Sequence, residues 1–288
     1  AEYKIKNLFP ALKNLSVKYF YTFILRDVEN LPYQVTIRPP SGTTPKQRIT
    51  VEKILPVGKH YVNGIQLQTD WVPFNGHYLV AGIDIWQRNL NSNRQRIQKI
   101  ENLSSVGDTV KSVINKTIGE KPIPEASYRS MGFFAQDDIK LPFEKLKLTL
   151  GARVDKINVT NSQALQPVYE ITNGVYNQTP TGQKVIWEAR DVDNISWSGS
   201  MGLLYNALKN IDFTLNVSRS FRSPSMEERY QYIDLGSLLR VGNPDLNPEQ
   251  GLFFDIGARV WMQKLSFTGN IFANYFTDLV VEQPGTYE

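Results

Sequence analysis

The chain of 288 residues has no cysteine, only two histidines and no large excess of charge: 32 Lys and Arg stand against 28 Asp and Glu. Without cysteine there can be no disulfide scaffold and no thiolate metal site. The same lack suits an oxidising envelope compartment. Lysines and arginines are scattered among acids rather than gathered on one stretch, so no nucleic-acid surface is indicated. No run approaches the ~20 apolar residues that a membrane-spanning helix needs. That argues against helical membrane proteins but not β-barrels, whose lipid-facing residues alternate with polar ones. Nucleophile elbows, phosphate-binding loops and clusters of metal ligands are also missing. The chain is therefore not read as an enzyme, and neither a metal nor a cofactor is expected. It opens Ala1, Glu2, Tyr3, Lys4 in strand-like alternation without a signal-peptide pattern, which predicts a processed or shortened polypeptide.

What the sequence has is alternation. Leu15, Val17, Tyr19, Tyr21, Phe23 and Leu25 share one phase, while Ser16, Lys18, Thr22 and Arg26 share the other. Period two marks a strand with one apolar face. Phe20 and Ile24 break the pattern. Ile65, Leu67 and Trp71 continue it, as do Leu79, Ala81, Ile83 and Ile85, and then Met131, Phe133, Ala135 and Ile139. Leu146, Leu148, Leu150, Ala152 and Val154 alternate with Lys147, Thr149, Gly151, Arg153 and Asp155 in a nearly ideal strand. Further strands are predicted over 195–205, 211–221, 252–261 and 265–280.

Connections sort into two kinds. Turns near 8–13, 73–76, 141–145, 208–210 and 262–264 are short. Those at roughly 28–58, 89–126, 160–193 and 222–250 are long, polar and rich in Pro, Gly and Asn. Because the kinds alternate strictly, every long loop leaves from the same edge. Strands of about 9–11 residues match a tilted membrane crossing, and short inner turns with long outer loops match an outer-membrane barrel. The predicted fold is all-β: part of an antiparallel up-and-down transmembrane β-barrel, with about ten long strands, short periplasmic turns, long outer loops and essentially no helix.

Particular stretches carry a family likeness. Phe221-Arg-Ser-Pro-Ser-Met-Glu-Glu-Arg-Tyr230 followed by Val241-Gly-Asn-Pro-Asp-Leu-Asn-Pro-Glu-Gln250 resembles the strand–outer loop–strand unit of TonB-dependent outer-membrane receptors. Tyr128 to Asp138 with Leu146 to Asp155 is similar to another hairpin of that family, and Gly76 to Asp84 to one of its ascending strands. The likeness implies a receptor in the outer membrane of a Gram-negative bacterium. Its partners would be membrane lipid and lipopolysaccharide, the TonB complex through a plug domain, and a ligand such as a ferric siderophore (an iron chelate), haem or cobalamin. Barrels of that family have about 22 strands and an N-terminal plug. No plug or TonB-contacting segment is recognised, so residues 1–288 read as a partial barrel that leaves raw strand edges. The end at Pro284 to Glu288 lacks the family's terminal aromatic residue. A passive porin-type channel and a soluble carbohydrate-binding or hydrolytic β-protein remain open alternatives.

For ligand contact the resemblance and the residue types single out Arg222, Tyr230, Tyr232, Arg240 and Asn243 in the outer loop. Arginines can pair with carboxylate or catecholate oxygens and tyrosines offer flat faces with polar tips. The ordinary alternative is a loop shaped by Pro224, Pro244 and Pro248 with solvated charges. Haem receptors of the family carry a ligand histidine between the two boxes; none stands here, which puts haem ligation by this loop in doubt. Asp138, Arg153 and Asp155 are expected to form a lumen charge network. Asp137 and Asp138 point to opposite faces and cannot act as a catalytic pair. His60 and His77 read as lumen or interface residues rather than sharing a metal. Arg129, Lys156 and Arg219 fall on the lipid-facing phase near the outer ends, a candidate basic collar.

Overall fold

Residues 1–142, 145–234 and 238–286 are described by a computed structural model. The middle of the expected turn at 141–145, residues 235–237 of the outer loop, and the last two residues of the expected terminus lie outside the described residues. Ten strands form the wall: β1 (Glu2–Lys6), β2 (Leu12–Asp27), β3 (Gln47–Trp71), β4 (His77–Leu103), β5 (Ala126–Lys140), β6 (Leu146–Asn161), β7 (Arg190–Leu208), β8 (Ile211–Arg222), β9 (Glu249–Trp261) and β10 (Ser266–Thr277). Each pairs antiparallel with the next in an up-and-down meander. Among the described residues β1 and β10 do not pair with each other, so the sheet has two free edges.

Period-two alternation puts one phase of every strand on one face, and the register aligns these phases from strand to strand. Tyr3, Val17, Leu67, Ile83, Phe133, Val154 and Trp197 are cross-strand partners in a single row. All are exposed. A second row runs Leu148, Leu203, Leu215, Ile256 and Ile271. An apolar face of this extent, left uncovered by the chain, is costly in water and matched to lipid.

The opposite face carries glycine, short polar side chains and charge. Gly132 shows why small residues are needed there. A Cβ at this position would lie 2.1 Å from Arg153 Nη2 and 2.5 Å from Asp155 Oδ1, so the charged groups occupy its space.

Long and short connections alternate as expected, but two of the long ones are shorter than the sequence implied. β3 and β4 run for 25 and 27 residues, so much of 28–58 and 89–126 is strand. The pair stays in register from Trp71↔Leu79 out to Gln47↔Asn102, with one bulge. Polar residues dominate both phases of the β4 extension, and the bulge splits Ile49 and Val51 from Leu55 and Val57 in that of β3, so neither keeps one apolar face. Val110–Glu120 pairs with β4 as an added outer strand. Helix is essentially lacking among the described residues, as expected, apart from the five-residue α1 (Met226–Tyr230) in the β8–β9 loop.

Candidate functional site

The loop between β8 and β9 folds back onto the inner wall. Its helix starts with a reciprocal cap: Glu228 N donates to Ser225 Oγ at 3.1 Å, and Ser225 N donates to Glu228 Oε2 at 2.7 Å. A Ser followed three residues later by Glu is a legible helix-start signal, and it stands in the sequence as Ser225-Met-Glu-Glu228. The cap turns Met226 and Tyr230 onto Leu90, Ala126, Ile157 and Val159, forming a buried apolar cluster on the inner side of β4, β5 and β6. Ile157 and Val159 occupy the phase that carries Arg153 and Asp155 lower down. This apolar reversal of the inner phase is the second signal that something packs there.

Charges fix the loop further. Glu227 pairs with Arg88 of β4, whose Nη2 also lies 3.0 Å from His60 Nδ1. Glu120, with a side chain 1% exposed, pairs with Arg94 and with Arg96 at 2.8 Å. Arg96 Nη1 reaches Asp234 Oδ2 at 3.1 Å, and Arg94 Nη2 donates to the Asp234 carbonyl at 3.1 Å. Backbone bonds add Tyr232 N to Pro122 O at 2.7 Å and Asn243 N to Glu228 O at 2.9 Å. Gly242 is required by close approach: a Cβ there would sit 2.6 Å from the Arg229 carbonyl carbon. The sequence reading missed Arg88, Arg94, Arg96 and Glu120, because no motif marks ion pairs made across such separations.

The five loop residues singled out by sequence divide into three groups. Arg222 is committed to two internal carboxylates, donating to both Glu228 oxygens at 2.9 Å and to Glu249 Oε2 and Oε1 at 2.5 and 2.8 Å. Tyr230 and Tyr232 are buried and serve packing, since the helix turns Tyr230 inward to meet Trp187 edge-on. Arg240 and Asn243 reach an open cleft of 560 Å³ with Leu239, Val241, Leu246 and Val280. Arg240 Nη2 lies 3.8 Å from Glu282 Oε2, and both side chains are largely exposed.

Electrostatics follow this division. The Glu228 carboxyl is held below the ordinary range chiefly by hydrogen bonds from Arg222, with its own burial opposing and the Ser225 N–H assisting. Burial pulls the Arg229 guanidinium down and pushes the Tyr230 phenol up. Arg229 Nη1 donates to the Pro244 carbonyl.

Below the helix, Trp86 and Tyr128 stack on the inner face with centroids 5.1 Å apart. Next comes the lumen charge network, with one change of membership. Arg153 donates to Asp84 Oδ2 and Oδ1 at 2.6 and 2.9 Å and to Asp155 Oδ2 at 2.7 Å. Asp84 and Asp155 are both cross-strand partners of Gly132, so the guanidinium fills the gap between them. Asp138 is not part of this cluster. It lies four residues beyond Phe134, the partner of Arg153, or about 13 Å along β5 at ~3.3 Å per residue, and accepts from Thr149 Oγ1 at 2.9 Å instead.

His77 Nδ1 lies 2.7 Å from Asp137 Oδ2 at the short-turn rim, while Asp138 points to the other face. His60 faces Arg88. Among the described residues no group of three or more potential metal ligands occurs. On the outer collar, the Arg219 guanidinium lies 4.1 Å over the Trp197 ring, and its Nη2 donates to Gln250 Oε1 at 2.7 Å.

The fold of this meander has counterparts among solved structures. The copper transporter OprC superposes with a TM-score of 0.61 at 13% identity, over 95% of this chain and 37% of that one. The ferric-catecholate import receptor Fiu from E. coli K12, in its open form, gives a TM-score of 0.51 at 10% identity, over 96% and 40%. The chain thus spans about two fifths or less of either structure. At such identities the likeness concerns the fold alone. No curated protein sequence matches the chain. Residues 4–288 match the protein-family model described as TonB dependent receptor-like, beta-barrel, and the chain belongs to that family.

Proposed function

We propose that residues 1–288 form part of the barrel wall of an outer-membrane uptake receptor of a Gram-negative bacterium. The remaining strands and a TonB-coupled plug would be supplied by other parts of the polypeptide. The two free edges of the sheet and the partial coverage of OprC and Fiu support that division. The role is transport rather than catalysis. Its cargo is a scarce nutrient such as a ferric siderophore, haem or cobalamin, and an anionic chelate suits the loop chemistry best.

The observation that carries this reading is the β8–β9 loop, drawn onto the inner wall by α1 while leaving Arg240 and Asn243 in an open cleft. Arg240 offers donors that can pair with carboxylate or catecholate oxygens. Asn243 adds a neutral amide, although its Oδ1 already accepts from Asp245 N at 2.9 Å. Arg222 acts one step behind, because its two carboxylates hold the helix start against β9. Tyr230 and Tyr232 shape the loop from beneath. With no histidine between Phe221 and Gln250, the loop offers haem no histidine ligand.

The test is a ligand titration on the intact receptor carrying Arg240→Ala or Arg222→Ala, with folding checked separately. For Arg240, removing a desolvated charge-assisted hydrogen bond should weaken binding by roughly 1.5–3 kcal/mol; Arg222→Ala should weaken it indirectly, by releasing the helix start from β9. Unchanged dissociation constants in both single variants and the double would make the loop scaffold and move binding to other loops.

A further inference from the structure

Two arginines of the chain use the guanidinium edge made of Nε and Nη2 to hold a carboxylate. In Arg153 that edge grips Asp155, with Nε donating to Oδ2 at 2.7 Å and Nη2 to Oδ1. In Arg222 it grips Glu249, at 2.5 and 2.8 Å. Arg229 breaks the pattern. It is only 1% exposed, and its side chain bonds from the other edge, where Nη1 donates to the Pro244 carbonyl. Nε and Nη2 are buried, and among the described residues neither has a partner. The loop's own acids are engaged elsewhere: Glu228 with Arg222, and the largely exposed Asp245 with Arg190 at 2.6 Å. Neither offsets the burial that pulls the Arg229 guanidinium down.

We infer that the buried Nε and Nη2 edge of Arg229 binds a small monovalent anion, chloride or a two-oxygen anion of formate size, and that this anion holds the β8–β9 loop down. The site is separate from the open Arg240 cleft and needs no cargo. Arginine stays charged throughout the ordinary pH range, and a buried charge without a partner strongly destabilises the fold around it. The edge presents two parallel N–H groups, which suit one halide or both oxygens of a carboxylate. Because both nitrogens are buried, the anion must be small and must enter while the loop is lifted. An anion that meets Arg229 only in the docked state stabilises that state by mass action. The other edge of the same guanidinium holds the Pro244 carbonyl, next to Asn243. Anion binding is thereby tied to the segment that carries Asn243 into the cleft.

The experiment dialyses the intact receptor into sodium gluconate, whose anion is too large for the site. Sodium chloride or sodium formate then replaces it stepwise at constant ionic strength, and proteolysis across 223–248 reads whether the loop is docked. Protection should rise several-fold in chloride, formate or both, and then saturate, with the strand signal in circular dichroism unchanged. Arg229→Lys keeps the charge but not the paired N–H groups, and should need several-fold more of either anion. Arg229→Met removes the charge, so its loop should resist protease in gluconate at least as well as wild type and ignore added anion. Bromide exchanged into crystals should give an anomalous peak at Arg229 in wild type and none in Arg229→Met. Equal protection of wild type in all three salts overturns the proposal, as it would if a carboxylate from elsewhere in the polypeptide met Arg229. A chloride response that survives in Arg229→Met, or is unshifted in Arg229→Lys, overturns it too. Should Arg229→Met fail to dock its loop in any salt, the wild-type and Arg229→Lys titrations and the bromide peak still decide. Loss of the anion response with cargo binding still sensitive to Arg240→Ala would overturn this site alone, and the converse would overturn only the cargo reading.

Discussion

Strand β6 obeys opposite rules on either side of Asp155. From Leu146 to Val154 its even positions are apolar and face outward, while Lys147, Thr149, Gly151 and Arg153 face the lumen. Above Asp155 the inward positions are Ile157 and Val159, both buried, and the outward ones are Lys156, Asn158 and Thr160. The backbone continues in register with β5 and β7 throughout, so no bulge causes the reversal. What changes is the surroundings. Below, the outer side meets lipid and the inner side a wet lumen; above, the outer side meets polar medium and the inner side meets α1. A strand's apolar phase therefore reports which side lacks water at each height.

The most damaging way to break this contrast is Val159→Asp. It places an unpaired carboxylate in the cluster with Met226 and Tyr230, and leaving a charge buried without a partner costs about 3–5 kcal/mol. One residue along and facing outward, Thr160→Lys should fall within about 0.5 kcal/mol of wild type, as surface changes usually do. Unfolding titrations of the membrane-inserted protein compare the two, with proteolysis across 223–248 reporting whether the loop has lifted. Equal costs would mean that the upper wall has no preferred side.

In the lower half the signs reverse. Leu150→Arg should cost about 2–4 kcal/mol in a bilayer, and the lumen-facing Thr149→Arg far less. Equal tolerance in the same titration would remove lipid from the outward face.

The lower half was legible from sequence because one phase meets a single apolar medium over a whole strand. Leu146 to Val154 gives its face, length and direction without help from any other segment. The extensions of β3 and β4 were illegible for other reasons: polar residues dominate both phases of β4 beyond Asn91, and the bulge between Val51 and Lys53 splits the apolar residues of β3 between its two faces. Within the site, position was legible and contact was not. The alternating short and long connections placed the β8–β9 loop on the outer edge. That Tyr230 turns inward while Arg240 stays open follows from α1, and only the Ser225–Glu228 spacing hinted at that helix. The replacement of Asp138 by Asp84 in the Arg153 cluster needed the register, because both aspartates lie on the same face and only cross-strand alignment separates them.

That cluster sharpens the comparison at a smaller scale. Gly132→Ala adds a methyl where the Arg153 guanidinium lies, forcing it away from Asp84 or Asp155. Overpacking of this kind costs about 1–3 kcal/mol. Arg153 is a flexible side chain, so a result at the low end is expected. Gly151→Ala, where the nearest atom is Ser200 Oγ at 2.9 Å, should cost less. A larger penalty at Gly151 than at Gly132 would show that the charge cluster does not govern packing on this face.

The smallest effect expected is at the helix cap, where acid should loosen the loop before it affects the wall. Glu228 is depressed below the ordinary carboxylate range by Arg222, so its contribution to docking is fully present above the unfolded value and is lost as pH falls through the folded one. Protonation removes the charge that pairs with Arg222 and weakens the acceptors for Arg222 and the Ser225 N–H, while Met226 and Tyr230 remain buried by their apolar contacts. Loop 223–248 should therefore become more sensitive to an acid-stable protease below about pH 4, with the strand signal in circular dichroism unchanged. Glu228→Gln should bring that sensitivity to neutral pH and flatten its dependence on acid. Ser225→Ala, which keeps the Arg222 pair but loses the Oγ acceptor, should cost about 1 kcal/mol at all pH values. If Glu228→Gln and wild type share the same acid profile, the loop is held by its apolar cluster and the Arg88 and Asp234 pairs, and Glu228 contributes only the helix start.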